Sequence, residues 1–168
     1  MIRPLTPADV DAFCALRQQS FVSDPLSWDQ DAGTTVRPEQ WAPRLRETEN
    51  DVVFGYFLEE RHRPHRLVGV MGLQRFPRNK RRHRAMVWGV YVDPVVRGKG
   101  VAGKLLKQVL NRAGTMEGLD HLVLSVSHRA EAALRLYAAH GFVEWGREVR
   151  AARTGETWMD EVHMRLDL

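Results

Sequence analysis

The sequence predicts one α/β domain, residues 1–168, built on a mixed sheet, and three observations lead there. Three β-branched and aromatic-rich runs, 51–60, 66–76 and 83–93, follow one another with short turns between them, as in an antiparallel meander. From Gly98 the apolar period changes, and Val101, Leu105, Leu106, Val109, Leu110 and Ala113 fall on one helical stripe. At 168 residues and 43% hydrophobic content, the chain suits a single domain that buries its core without disulfides.

Residues 2–21, IRPLTPADVDAFCALRQQSF, read as a short strand leading into a helix. Thr6 is a good N-cap, Pro7 suits the first helical position, and Asp9 favours the positive end of the helix. Cys14 lies beside Phe13 and Leu16 and reads as core packing. With no second cysteine it cannot form an internal disulfide, which fits a reducing compartment and a cytoplasmic location. Residues 22–38 are rich in Pro, Gly, Ser and Asp and read as a long loop of the kind that often carries function. A short helix follows within 38–47, interrupted at Pro43.

The meander strands come next, joined by turns at 61–65 and 77–82. The third is apolar on both faces (Met86, Trp88, Val90 and Val92 against Val87 and Tyr91), so it is expected to be the most central. After the helix that begins near Gly98, residues 121–127 read as a short buried strand and 129–141 as a second helix ended by Gly141. Two closing strands, 142–152 and 157–168, flank Thr154-Gly155.

The formal net charge of +4 conceals an asymmetry: residues 61–84 hold nine Lys or Arg and no acid, and the rest of the chain is net acidic. Such a field can attract an anionic partner. No aromatic interleaving or nucleic-acid motif accompanies it, so a solvated hairpin is expected rather than a nucleic-acid contact. The N-terminal MIRPLTPADV lacks a long apolar run, which argues against a signal peptide or a membrane partner. No metal ligands stand at credible spacing, so no metal is expected. An exposed closing strand could support a homodimer, and a monomer or a homodimer is expected.

Residues 95–106, VVRGKGVAGKLL, can be parsed in two ways. Gly98-x-Gly100-x-x-Gly103 matches the dinucleotide-binding fingerprint, whereas Arg97-x-x-Gly100-x-Ala102 does not need one. Both use the same physics, since free N–H groups at a helix N-terminus preceded by glycine backbone bind anions. The dinucleotide reading needs an acid at the end of the following strand, and that strand ends SVSHR; Asp120 precedes it, at the wrong end. A phosphate-gripping P-loop is excluded because no Gly-Lys-Ser/Thr occurs.

The second parse gains support downstream. VYVDPVVRGKGVAGKLL resembles motif A of the GNAT superfamily of acetyl-CoA-dependent N-acetyltransferases, and HLVLSVSHRAEAALRLYAAHGF, with Leu136-Tyr137 and Gly141-Phe142, resembles its motif B. The resemblance covers about residues 85–145. It implies a GNAT-like fold, a mixed, mostly antiparallel sheet of six to seven strands flanked by about four helices. It also implies transfer of an acetyl group from acetyl-CoA, as cosubstrate, to a primary amine of a small molecule or peptide by direct attack in a ternary complex. The alternative is a non-catalytic CoA-binding or nucleic-acid- or ribosome-associated module.

Residue by residue, the resemblance places the CoA pyrophosphate on Arg97, Gly98, Lys99, Gly100, Val101, Ala102 and Gly103. A side chain at Gly100 is expected to fail sterically, because the cofactor passes where a Cβ would point. The pantetheine arm would lie along Val90, Tyr91 and Val92, with the Val92 N–H stabilising the developing oxyanion. Tyr137 matches the family tyrosine that serves the departing CoA sulfur, although a core tyrosine would sit on the same helix face.

Two departures matter. Alanine stands at position 130 where the family often has an asparagine that touches the pantetheine arm, so Ser127 or His128 would have to substitute, or the contact is lost. Residues 85–92 contain no acid, although many members carry a glutamate base there. An alkylamine near pKa 10 is charged at neutral pH, so a base is required. Asp160 is the main candidate, because strand parity puts it with Trp158, Val162, Met164 and Leu166. A β-bulge or an ion pair would instead turn it aside. Glu161 and His163, on the opposite face, are second choices, and His65 and His83 fall in expected turns.

Overall fold

The computed structural model describes residues 1–59 and 65–168, so residues 61–64 of the expected turn, with Arg61 and Arg63 of the basic segment, lie outside the described residues. The chain runs β1 (Ile2–Pro4), α1 (Val10–Ser23), α2 (Pro38–Trp41), β2 (Asp51–Leu58), β3 (Arg66–Arg75) and β4 (Arg84–Val92). It continues through α3 (Val101–Gly114), β5 (His121–Ser127), α4 (Glu131–Ala139), β6 (Val143–Thr154) and β7 (Thr157–Asp167). The seven strands form one sheet in the order β1-β2-β3-β4-β5-β7-β6.

Every neighbouring pair is antiparallel except β4 and β5, which run parallel because α3 carries the chain across between them. The expected α/β fold with a mostly antiparallel sheet is what forms. No helix among the described residues is long and apolar enough to cross a membrane.

The helices pack on the two faces of the sheet. The apolar stripe of α3 sets Leu105, Leu106 and Val109, all fully buried, against Met71, Leu73, Leu122 and Val162; burial stabilises each by roughly 2 kcal/mol. On the other face Phe13 and Leu16 of α1 meet Val53, Phe57, Val70 and Tyr91, and Cys14 is buried with them, as expected.

At the start of α1, Thr6 caps and Pro7 opens the first turn, as expected, but that turn is not α-helical. Pro7–Asp9 form a 3-10 turn and the α-helix begins at Val10. The Asp9 carboxylate is taken up by the Thr6 N–H (2.8 Å) and the Arg3 guanidinium (2.7 and 2.8 Å), which fixes the turn before the helix.

β4 occupies the middle position, but the most continuously buried strand is β3. The reason lies in what β4 does beyond its midpoint. Its pairing with β5 covers only Arg84↔His121, Ala85↔Leu122 and Met86↔Val123. From Val87 onward the two strands part, and the apolar residues of β4 face a cavity instead of a neighbour.

Candidate active site

The parting has a local cause. Val70 and Gly72 of β3 pair with Tyr91 and Trp88 of β4, so β4 carries one extra residue and bulges. Gly89 sits in the bulge at φ +62°, a conformation that side chains other than glycine resist. A lone glycine inside the strand pattern VWGVYV was the sequence signal for it. The result is a cavity of about 660 Å³ between β4, β5, α3 and α4.

Val90, Tyr91, Val92, Arg97, Gly98, Gly100, Val101, Ala102, Gly103 and Tyr137 all line this cavity. Of the residues expected to bind cofactor, Lys99 is the one that does not line it; its Nζ lies 3.4 Å from the Val95 carbonyl.

The turn into α3 leaves backbone donors open to the cavity. Gly98 and Gly100 have φ +75° and +74°, and α3 starts directly at Val101, leaving its first N–H groups without helical partners. Asp93, only 3% exposed, holds this turn from below: it accepts from the Val95 N–H (2.9 Å) and from Arg66 (2.9 Å). A Cβ built on Gly98 or Gly100 meets no protein atom within 4 Å. The glycine requirement within the protein is therefore the left-handed backbone, not crowding, and the space above it is open.

Arg97 is already partnered. Its guanidinium makes a bidentate pair with Asp24 (2.6 and 3.1 Å) and donates to the Val92 carbonyl (2.9 Å). Burial works against ionisation of Asp24, but the hydrogen bonds from Arg97 and Ser23 hold its carboxyl below the usual carboxylate range. Tyr91 donates to or accepts from Ser23 at 2.7 Å, so the end of α1 is tied to β4 as well.

Tyr137 is 4% exposed and packs 5.7 Å from Phe142, so it serves the core and the cavity at once. Burial pushes its phenol pKa up, which keeps the O–H protonated. Ala130 also lines the cavity, whereas Ser127 and His128 do not. His128 instead accepts from the Asp160 N–H at 2.8 Å, and Ser127 accepts from the Arg129 N–H at 3.2 Å. Neither stands in for an asparagine at position 130.

Asp160 lies elsewhere. It lines an adjoining depression of about 350 Å³ and not the main cavity. The alternation expected along β7 holds from Val162 to Met164 but fails before it, where Met159 is buried and Trp158 is 41% exposed. Opposite, β6 bulges between Glu148 and Ala152, with Arg150 at φ +57°. The Asp160 carboxylate accepts from the Arg150 N–H (3.0 Å) and pairs with Arg147 (3.7 Å). These contacts, the Arg150 N–H foremost, lower its pKa.

The depression and the main cavity share Ser27, Trp28, Ser125 and Val126. Sequence reasoning named none of the four. Ser27 and Trp28 come from the long loop it marked as functional, but nothing in the spacing singled them out. A second grouping was legible only in part: Glu148 joins Glu161 and His163, and their carboxylate and imidazole atoms lie within 4.8 Å of one another on two strands.

The family model described as Acetyltransferase (GNAT) family matches residues 16–142. A stretch of 57 residues is 37% identical to the Bacillus subtilis (strain 168) protein named "Putative phosphinothricin acetyltransferase YwnH"; the match spans 34% of this chain and 34% of that relative's length. The solved acetyltransferase of GNAT family from Streptococcus pneumoniae superposes with a TM-score of 0.88 at 24% identity, over 100% of this chain and 99% of its own. A GNAT superfamily phosphinothricin acetyltransferase from Sinorhizobium meliloti, solved in complex with acetyl-CoA, superposes with a TM-score of 0.84 at 20% identity, over 100% of this chain and 88% of its own. The two solved structures share the fold, and the family model spans the glycine turn, the β4–β5 opening and α4 together: the chain belongs to the acetyltransferase (GNAT) family.

Proposed function

We propose that the chain transfers the acetyl group of acetyl-CoA to a primary amine, of a small molecule or a peptide, by direct attack in a ternary complex. The observation that carries this reading is the single cavity that has free α3 N–H groups at one end and the Tyr137 phenol in its wall. The residues fit the cosubstrate: the open space over Gly98 and Gly100 admits a pyrophosphate, and the backbone of Val90–Val92, without a β5 partner, can take an amide-bearing arm.

Acetyl-CoA supplies the activated acetyl group. The N–H groups of Val101–Gly103 bind its phosphates with the favourable end of the helix dipole. The backbone at Val92 orients the thioester and stabilises negative charge on its oxygen, an effect that grows where water is excluded. Tyr137 gives its phenol proton to the departing sulfur. Amine enters from the depression that adjoins the cavity at Trp28 and Ser125.

The test is thiol release from acetyl-CoA with a panel of primary amines. Release that requires an amine supports transfer. Tight CoA binding with no turnover on any amine or peptide would make the chain a binding module.

A further inference from the structure

An ammonium group must lose a proton before it can attack, and β4 carries no carboxylate to take it. Asp24 lines the cavity but its carboxylate is committed to Arg97, and Asp160 is committed to Arg147 and the Arg150 N–H. Glu131 lies at the start of α4 and pairs with Arg135 at 3.3 Å. The junction of the two cavities holds Ser27, Trp28, Ser125 and Val126. Among the described residues, only Ser125 of these four is hydrogen-bonded to a titratable side chain: its Oγ lies 2.8 Å from Nδ1 of His163.

The sheet sets that contact. Ser125 and His163 stand directly opposite in the β5–β7 register, on the face away from α3. The groups that face His163 are few. β5 offers Ser125; β6 offers Glu148; β7 offers Glu161 and Arg165. Arg165 is engaged by Asp167 (2.5 Å) and Asp120 (3.7 Å). Glu148 and Glu161 oppose each other across β6 and β7, an arrangement of like charges that is unfavourable until a cation stands beside it. The Trp145 ring lies 5.5 Å from the imidazole.

We infer that Ser125 and His163 form the proton relay that deprotonates the acceptor amine, with Ser125 touching the amine and His163 receiving the proton through it. This rests on the acetyl-transfer reading above. The ammonium proton passes to Ser125 Oγ as the Ser125 hydroxyl proton passes to Nδ1 of His163, which carries its other proton on Nε2. The freed nitrogen lone pair forms the C–N bond. The C–S bond breaks with its electron pair going to sulfur, which takes the Tyr137 proton. The product nitrogen sheds its remaining extra proton to solvent. Water then takes the proton from the imidazolium and reprotonates Tyr137. Glu148 and Glu161 supply the charge opposite to the imidazolium while it lasts.

The experiment compares wild type, His163→Gln, Ser125→Ala and Ser125→Thr with acetyl-CoA and the fastest amine of the panel, from pH 6 to 10. His163→Gln is expected to lower turnover about 100-fold at pH 7. The deficit should shrink toward pH 10, where about half of the amine is neutral without help, and KM for acetyl-CoA should stay within about twofold. Ser125→Ala should show the same pH-dependent loss, and Ser125→Thr, which keeps the hydroxyl, should recover most of it. A loss of equal size at every pH, or turnover at the wild-type level in His163→Gln, overturns the relay while leaving acetyl transfer standing. Loss of wild-type turnover on chelation, restored by a divalent cation, would make Glu148, Glu161 and His163 a metal site and also overturn it. Absence of wild-type turnover on every amine overturns the transfer reading and the relay with it.

Discussion

Arg97 and Asp24 form a bidentate ion pair, 2.6 and 3.1 Å, that bolts the end of α1 to the turn leading into α3. The arginine of the glycine turn therefore spends its charge on the protein itself. Asp24→Asn should leave that charge for the cosubstrate and tighten CoA binding about threefold, in line with the roughly 0.5–1 kcal/mol of an exposed pair. The gain should fade as salt is raised. Calorimetric titration with CoA checks this, and weaker binding in Asp24→Asn would show that Asp24 positions Arg97 rather than competing for it.

Two glycines of the same motif should respond oppositely. Gly100 has φ +74°, so Gly100→Ala forces a left-handed alanine and should cost about 1–2 kcal/mol of stability. Gly103 lies inside α3, and a Cβ there stands 3.9 Å from Leu136 Cδ1, an ordinary contact. Gly103→Ala should raise stability by up to about 1 kcal/mol through helix propensity. Because Gly103 lines the cavity, the same change should weaken CoA binding. Thermal denaturation and CoA titration read the two effects separately.

Tyr137→Phe keeps the ring that packs against Phe142 and removes only the hydroxyl. Turnover should fall about 10- to 100-fold with KM for acetyl-CoA unchanged. Wild-type turnover would assign the residue to the core alone.

Asp9 should make stability depend on acid. The Arg3 guanidinium, aided by the Thr6 bonds and opposed by burial, holds its carboxyl down to about 2. A depressed folded pKa gives stability that is fully present above the unfolded value near ~3.9 and lost as pH falls through about 2. Asp9→Asn should cost at most about 2 kcal/mol at pH 7, and its gap from wild type should close between pH 4 and 2 in urea denaturation.

The half of the cavity around the glycine turn was legible because it is contiguous. Val90 to Gly103 is one stretch of chain, and Gly98 and Gly100 mark backbone that no other residue adopts easily. The adjoining depression was less so, because Trp28, Ser125 and Glu148 join Glu161 there from a loop and two further strands whose register the sequence does not state. Parity also misled where a bulge intervened. The β6 bulge opposite Asp160 supplies the Arg150 N–H that captures it, so alternation along β7 could not say where that carboxylate points. His163, the second choice on the other face, gains its meaning only from the partner that β5 places opposite it.

The separation of β4 from β5 past Met86 gives the sheet an edge in its own interior. At the rim of a sheet, unpaired backbone invites any passing strand and must be guarded. Here the same stretch lines a cavity walled by α3 and α4. One extra residue at Gly89 thus turns a hazard of β-structure inward, and the protein keeps at its centre, within its own walls, the gap of a strand it does not itself possess.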